Sequence, residues 1–119
     1  MTAHESWMRL AIDSAQKEQT PFGCAIVENG EAVAVCANTI RQSRDATAHA
    51  EMNALRRWKL LQAASQGFVV LYTTAEPCAM CAGGIVFAGV DEVVFGLSIP
   101  EVARYLPQIH LSSQSIFDA

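Results

Sequence analysis

The side chains best suited to chemistry fall in two short strings, His49-Ala50-Glu51 and Pro77-Cys78-Ala79-Met80-Cys81. Cys78 and Cys81 stand three residues apart, so at the start of a helix both thiols leave the first turn on one side. A helix N-terminus carries partial positive charge, which favours thiolate over thiol. Two thiolates and one imidazole make a soft nitrogen–sulfur donor set suited to zinc. The count of donors matters as much as their type. A structural zinc site closes with four protein ligands, whereas a catalytic one keeps a position for water. The remaining histidines, His4 and His110, have no companion ligand nearby in the chain. Three donors, His49, Cys78 and Cys81, therefore predict one zinc ion per chain with a water or hydroxide as fourth ligand. Zinc lowers the pKa of such a water towards about 7. Glu51, two residues beyond His49, is near enough to take its proton and hand it to a leaving group.

Each string alone has a plainer reading. Cys-x-x-Cys also occurs in redox pairs and zinc knuckles, and an isolated His-x-Glu carries little information. A thioredoxin-like redox pair leaves His49 and Glu51 unexplained. A catalytically silent, zinc-stabilised binding module has no use for Glu51. Both strings together, each opening a helix, point to a catalytic centre.

The elements that must position these residues follow from periodicity. Met8, Ala11, Ile12 and Ala15 share one face of an amphipathic helix over residues 5–19. Thr20-Pro21 ends it, because the residue before a proline avoids helical angles. Asn29-Gly30 between the apolar runs 22–27 and 32–37 predicts an antiparallel hairpin. Its two-residue turn sets Cys24 opposite Val35 and sends Cys24 and Cys36 to opposite faces, as small buried hydrophobes rather than a disulfide. Strong helix formers fill 47–63, a β-branched apolar run covers 68–73, and a nearly all-apolar helix runs from Cys78 to Ala88, which predicts its burial. A strand follows at 91–96, then a weak strand at 108–111 and a short helical tail. Alternating β and α elements predict an α/β fold with helices on both faces of the sheet. Ligands in such sheets sit where strands end and helices begin, which is where both strings lie.

Composition narrows the class. The chain has 119 residues, one domain's worth, of which 51% are hydrophobic and 17% charged, so it is not a disordered chain. No apolar run is long enough for a membrane span, and residues 1–9 lack a signal-peptide core; a cytoplasmic protein with reduced cysteines is expected. A net charge of −4 does not suggest a nucleic-acid footprint, and Arg56-Arg57-Trp58-Lys59 is too short to be more than a solvated helix face. A mean hydropathy of +0.20 is high for a small monomer and predicts a homodimer.

The longer strings 21–25, 45–55 and 71–83, together with Asn38, resemble the cytidine-deaminase-like superfamily. The likeness is to the branch holding guanine deaminases, yeast-type cytosine deaminases and bacterial tRNA adenosine deaminases, and it runs over about residues 5–97. It implies a three-layer α/β/α fold with a mixed central sheet of four or five strands, over a single domain spanning 1–119. It implies zinc on His49, Cys78 and Cys81, Glu51 as proton shuttle, and Asn38 hydrogen-bonded to a substrate ring. Backbone groups near Ala50 and at Ala75 to Glu76 are expected to orient that ring, and Phe22 to wall it or to pack in the core. The implied reaction is hydrolytic replacement of an exocyclic amine by a carbonyl, with release of ammonia. The expected substrate is a free nucleobase or similar heterocycle. Adenosine in tRNA is the alternative, for which a dimer could gather Arg41, Arg44, Arg56 and Arg57. The pattern departs after Gly96, where the basic, glycine-containing segment associated with tRNA deaminases is absent. RNA is disfavoured on that ground, and the element that closes the site is left open.

Overall fold

The computed structural model describes residues 1–61 and 67–119. Helix α1 (Ala3–Lys17) starts where the Thr2 hydroxyl accepts from the Glu5 amide, and it buries Ala11 and Ala15. It is followed by strands β1 (Gly23–Glu28) and β2 (Glu31–Ala37), a one-turn helix α2 (Ile40–Ser43), α3 (Ala50–Leu61), β3 (Val69–Ala75), α4 (Ala79–Ala88), β4 (Glu92–Leu97), a short α5 (Ile99–Val102) and α6 (Ser113–Phe117). The sheet order is β2-β1-β3-β4, with β1 antiparallel to both neighbours and β3 parallel to β4. No described helix is long and apolar enough to cross a membrane.

Strand alternation sorts the side chains into two cores. Ala25, Val27 and Tyr72 face α1 and meet Ala11, Trp7 and Met8. Cys24, Ile26, Val69 and Leu71 face the other way and meet Ala50, Ala54, Leu55 and Trp58 of α3 and Ile85 of α4. The result is the three-layer α/β/α arrangement with a mixed four-stranded sheet. Two close approaches hold the layers. A Cβ on Gly23 would lie 2.0 Å from the Ala11 carbonyl oxygen, so α1 sits directly on β1 only because that position is glycine. A Cβ on Gly84 would lie 3.0 Å from Met52 Sδ, so α4 also rests closely on α3, there against a side chain that can yield.

Four expectations change. The hairpin turn is as read, with positive φ at Asn29 and Gly30. A β-bulge between Ile26 and Val27 in the pairing then inserts one residue of β2 and moves the register by one. Cys24 therefore pairs with Cys36 rather than Val35, both face α3, and both are free thiols. The bulge lets Val33 and Ala34, consecutive in the chain, both pack on that core. Second, residues 108–111 form no strand and pair with nothing in the sheet. Third, α4 is not wholly buried: Cys81, Ala82 and Ile85 face inward, while Phe87 is 94% exposed. Fourth, the polar stretch 39–45, whose composition reads as a loop, holds the short helix α2, and a further short helix, α5, lies where no element was expected. The expected end of the second long helix at residue 63 lies outside the described residues.

Candidate active site

The site lies where two helices begin. His49 immediately precedes α3, and its carbonyl accepts the first helical bond, from the Asn53 amide. Cys78 is the N-cap of α4, and Cys81 is its third residue. The two helices pack against each other, with Gly84 of α4 beside Met52 and Leu55 of α3. His49 Nδ1 lies 3.5 Å from Cys78 Sγ and 3.5 Å from Cys81 Sγ. All three donor atoms lie within 4.8 Å of one another. A tetrahedron with metal–ligand bonds of about 2.0–2.3 Å has edges of about 3.5 Å, so the donor set fits zinc in spacing as well as in softness.

The electrostatics have the same character. The Cys78 thiol is pulled down to about 4, first by a hydrogen bond from Cys81 and then by His49, against the cost of burial. Cys81 is pushed up, by sharing that bond with Cys78 and by burial. The His49 imidazole is raised by its hydrogen bond to Cys78. Cys81 and His49 thus both hydrogen-bond to the Cys78 sulfur, and a divalent cation in the same place would satisfy all three donors.

Glu51 is 7% exposed, one of few buried charged residues described. Burial pushes its carboxyl up to about 7, the nearby Cys78 adds to this, and its own backbone amide, His49 and the Thr73 hydroxyl pull the other way. A carboxyl held near neutrality can both take and give a proton. Phe22, Asn38, Ile40, His49, Glu51 and Cys78 line a cavity of about 370 Å³.

The loop that carries His49 is held by a residue whose role the sequence reading did not assign. The Asn53 side-chain amide donates to the carbonyls of Ala37 and Ala48 and to the Thr39 hydroxyl. One side chain on α3 thereby joins the end of β2 to the turn before His49. Asp45 braces the same loop by accepting from the Thr47 amide and hydroxyl. Asn53 stands four residues after His49, one helical turn on, and that spacing was the available signal.

Of the remaining expected contacts, Asn38 lines the cavity and its Oδ1 accepts from the Ile40 amide. Phe22 lines the cavity and also packs on the core. Ala75 and Glu76 are at the cavity wall. Ala50, whose backbone was expected to orient a ring, is fully buried, and its side chain belongs to the same core cluster as Cys24 and Ile26. One wall carries no expected site residue: Leu106, Pro107, Gln108 and Ile109 line the cavity, the last two from the stretch 108–111 expected as a strand.

Residues 1–97 match the family model described as the cytidine and deoxycytidylate deaminase zinc-binding region. The chain belongs to this family. The chain is 38% identical over 112 residues to a tRNA-specific adenosine deaminase of Bacillus subtilis, covering 85% of this chain and 66% of that protein. It is 35% identical over 107 residues to guanine deaminase of the same organism, covering 85% of this chain and 69% of the relative. The chain thus spans just under two thirds of the tRNA-specific relative and slightly more of the other. The X-ray structure of Bacillus subtilis guanine deaminase superposes with a TM-score of 0.80 at 31% identity, over 99% of this chain and 76% of that one.

Proposed function

We propose that this deaminase domain is a zinc-dependent aminohydrolase that replaces an exocyclic amine by a carbonyl on a nucleobase-like ring. The observation that carries the reading is the meeting of His49, Cys78 and Cys81 with buried Glu51 at one cavity. Zinc held by those three residues would supply an activated water at the floor of the cavity. Glu51 then takes the proton the attacking water gives up. It delivers that proton to the ring nitrogen beside the reacting carbon, then takes the remaining proton of the added hydroxyl and delivers it to the departing amine. Water adds, ammonia leaves, and the ring keeps a carbonyl. Asn38 and Phe22 hold the ring edge and face.

A free base is the favoured substrate. The cavity is near the small end of the roughly 300–1,000 Å³ typical of ligand pockets, and apolar Leu106 and Ile109 close one side. The net charge of −4 supplies no strong attraction to phosphates. A base within tRNA is the second reading, supported by the 38% identity to a tRNA-specific adenosine deaminase. The experiment is ammonia release by zinc-loaded protein from guanine, cytosine, isocytosine, adenine, their nucleosides and a tRNA anticodon stem-loop. Turnover of a free base supports the first reading. Turnover of the stem-loop alone replaces it with the second.

The proposal includes a homodimer and a cytoplasmic setting. Val86 and Phe87 on α4, with Phe95 and Leu97 on the edge strand β4, leave apolar surface uncovered. Four free cysteines suit a reducing compartment. Light scattering should give twice the chain mass, and Phe87→Glu should shift it towards one chain.

A further inference from the structure

The segment after β4 crosses the site and returns, and its attachment is unusually concentrated. Its two feet are buried: Ile99 and Val102 at one end, and Ser113, 2% exposed, at the other. Between them, Tyr105, Leu106, Ile109 and Leu111 are exposed, yet Leu106 to Ile109 form a cavity wall. The hydrogen bonds of residues 104–111 are local. Arg104 N donates to Glu101 O, Tyr105 N and Leu106 N to Val102 O, Leu111 N to Ile109 O, and Gln108 Nε2 to Pro107 O.

Among the described residues, every hydrogen bond joining 98–119 to the rest of the protein ends on Glu76. Its Oε1 accepts from the Ile99 amide at 2.8 Å. Its Oε2 accepts from the Ser113 amide and hydroxyl, both at 2.8 Å. Its own amide donates to the Leu97 carbonyl at 2.7 Å, just ahead of the first foot. One carboxylate therefore ties both feet of the strap, and it stands two residues before Cys78. Hydrogen bonds to a carboxylate are shorter and stronger than neutral ones, and its two oxygens can each serve a separate foot.

We propose that Glu76 is the positioning residue for the substrate wall: it locks the strap 98–113 to the turn that presents Cys78, and so sets how tightly and how selectively the cavity holds a ring. This rests on the aminohydrolase reading for its substrate arm only. A mere structural tie would leave substrate selectivity unchanged. A wall tie makes KM and ring-size discrimination depend on it, while the chemistry at Glu51 does not.

Two variants test it. Glu76→Gln keeps the shape but turns one acceptor into a donor that faces an N–H, so one foot is lost. Ser113→Pro removes the amide and hydroxyl donors together, at the first position of α6, where proline is tolerated and where Ser112 is already extended. It leaves Glu76 itself intact and serves if Glu76→Gln does not fold. Amide hydrogen exchange over 98–113 should speed up about tenfold or more in both variants, with zinc content unchanged. KM for the best base should rise about tenfold, on the scale of losing charge-assisted hydrogen bonds, while kcat changes less than about twofold. A bulkier ring analogue should lose less than the best base. Unchanged exchange in the strap in Ser113→Pro overturns the tie. Faster exchange with unchanged KM and selectivity overturns the wall's role. If the parent protein deaminates nothing, the aminohydrolase reading fails. The exchange arm then still decides the tie, and the proposed role in substrate selection falls with that reading.

Discussion

The floor and the wall of the cavity are built in opposite ways. The floor is made of helix starts: His49, Cys78 and Cys81 sit at the N-termini of α3 and α4, over a core of Ile26, Leu71 and Ile85. Its polar groups are many, close and cross-linked, with Asn53 and Asp45 bracing the loop behind His49. The wall is an exposed strap with local hydrogen bonds only, tied at its feet to one carboxylate. Reaction chemistry needs donors fixed to fractions of an ångström, which a packed helix end supplies. Substrate selection needs only a boundary, and a boundary can vary without disturbing the core beneath it. On the proposed aminohydrolase reading, the floor sets what is done to a ring and the wall sets which ring is admitted. Similarity to both a tRNA-specific adenosine deaminase and a guanine deaminase is what such a separation permits.

The most severe way to break the comparison is at the floor. Glu51→Gln should keep metal content and fold but lower ammonia release by at least about 10²-fold, the usual scale of general acid–base catalysis. If turnover survives, the proton passes through another group. A milder break acts behind the floor. Asn53→Ala frees the Ala37, Thr39 and Ala48 groups it joins and should weaken zinc binding about tenfold, as outer-shell changes do. Competition with a chelator of known affinity measures it, and unchanged affinity would mean that the core alone holds His49.

The wall should respond differently. Leu106→Ala and Ile109→Ala, at positions 41% and 62% exposed, should alter KM several-fold while moving stability by no more than about 0.5 kcal/mol. Thermal melts beside kinetics separate the two. A loss of stability comparable to a core truncation would show that the wall is part of the core after all.

The smallest expected effect sharpens the picture at the strap's first foot. Ser98 caps α5 and Glu101 reaches back to the Ser98 amide, at 2.8 Å. These bonds hold the Glu101 carboxyl below the ordinary carboxylate range. A depressed folded pKa means stabilisation that is complete above the unfolded value and lost as pH falls through the folded one. The Ser98 amide resonance should therefore titrate at a pH below that of a free glutamate. In Glu101→Gln, which can still form the capping box, that titration should vanish while α5 persists.

The floor was readable in the sequence because its information is local. Cys78 and Cys81 lie three apart within one helical turn, so spacing alone aligns them, and Glu51 follows His49 by two residues. Asn29-Gly30 likewise announced its turn, and the apolar runs announced their strands. Ser98-Ile99-Pro100-Glu101 was a local signal for a capped helix too, and it marks α5.

Beyond such spacings, tertiary structure decided. The bulge that pairs Cys24 with Cys36 depends on which face of β2 must meet α3, a choice made by packing and not by the turn. Residues 108–111 alternate like a strand but pair with no strand of the sheet, and Gln108 and Ile109 line the cavity instead. Glu76 reaches Ser113 across 37 positions of chain, and only the folded course of the strap brings the two donors to one carboxylate. The sequence by itself determined which atoms can do chemistry, because a helical turn is short and stiff. The fold decided what surrounds them, because those contacts join residues that no local spacing relates.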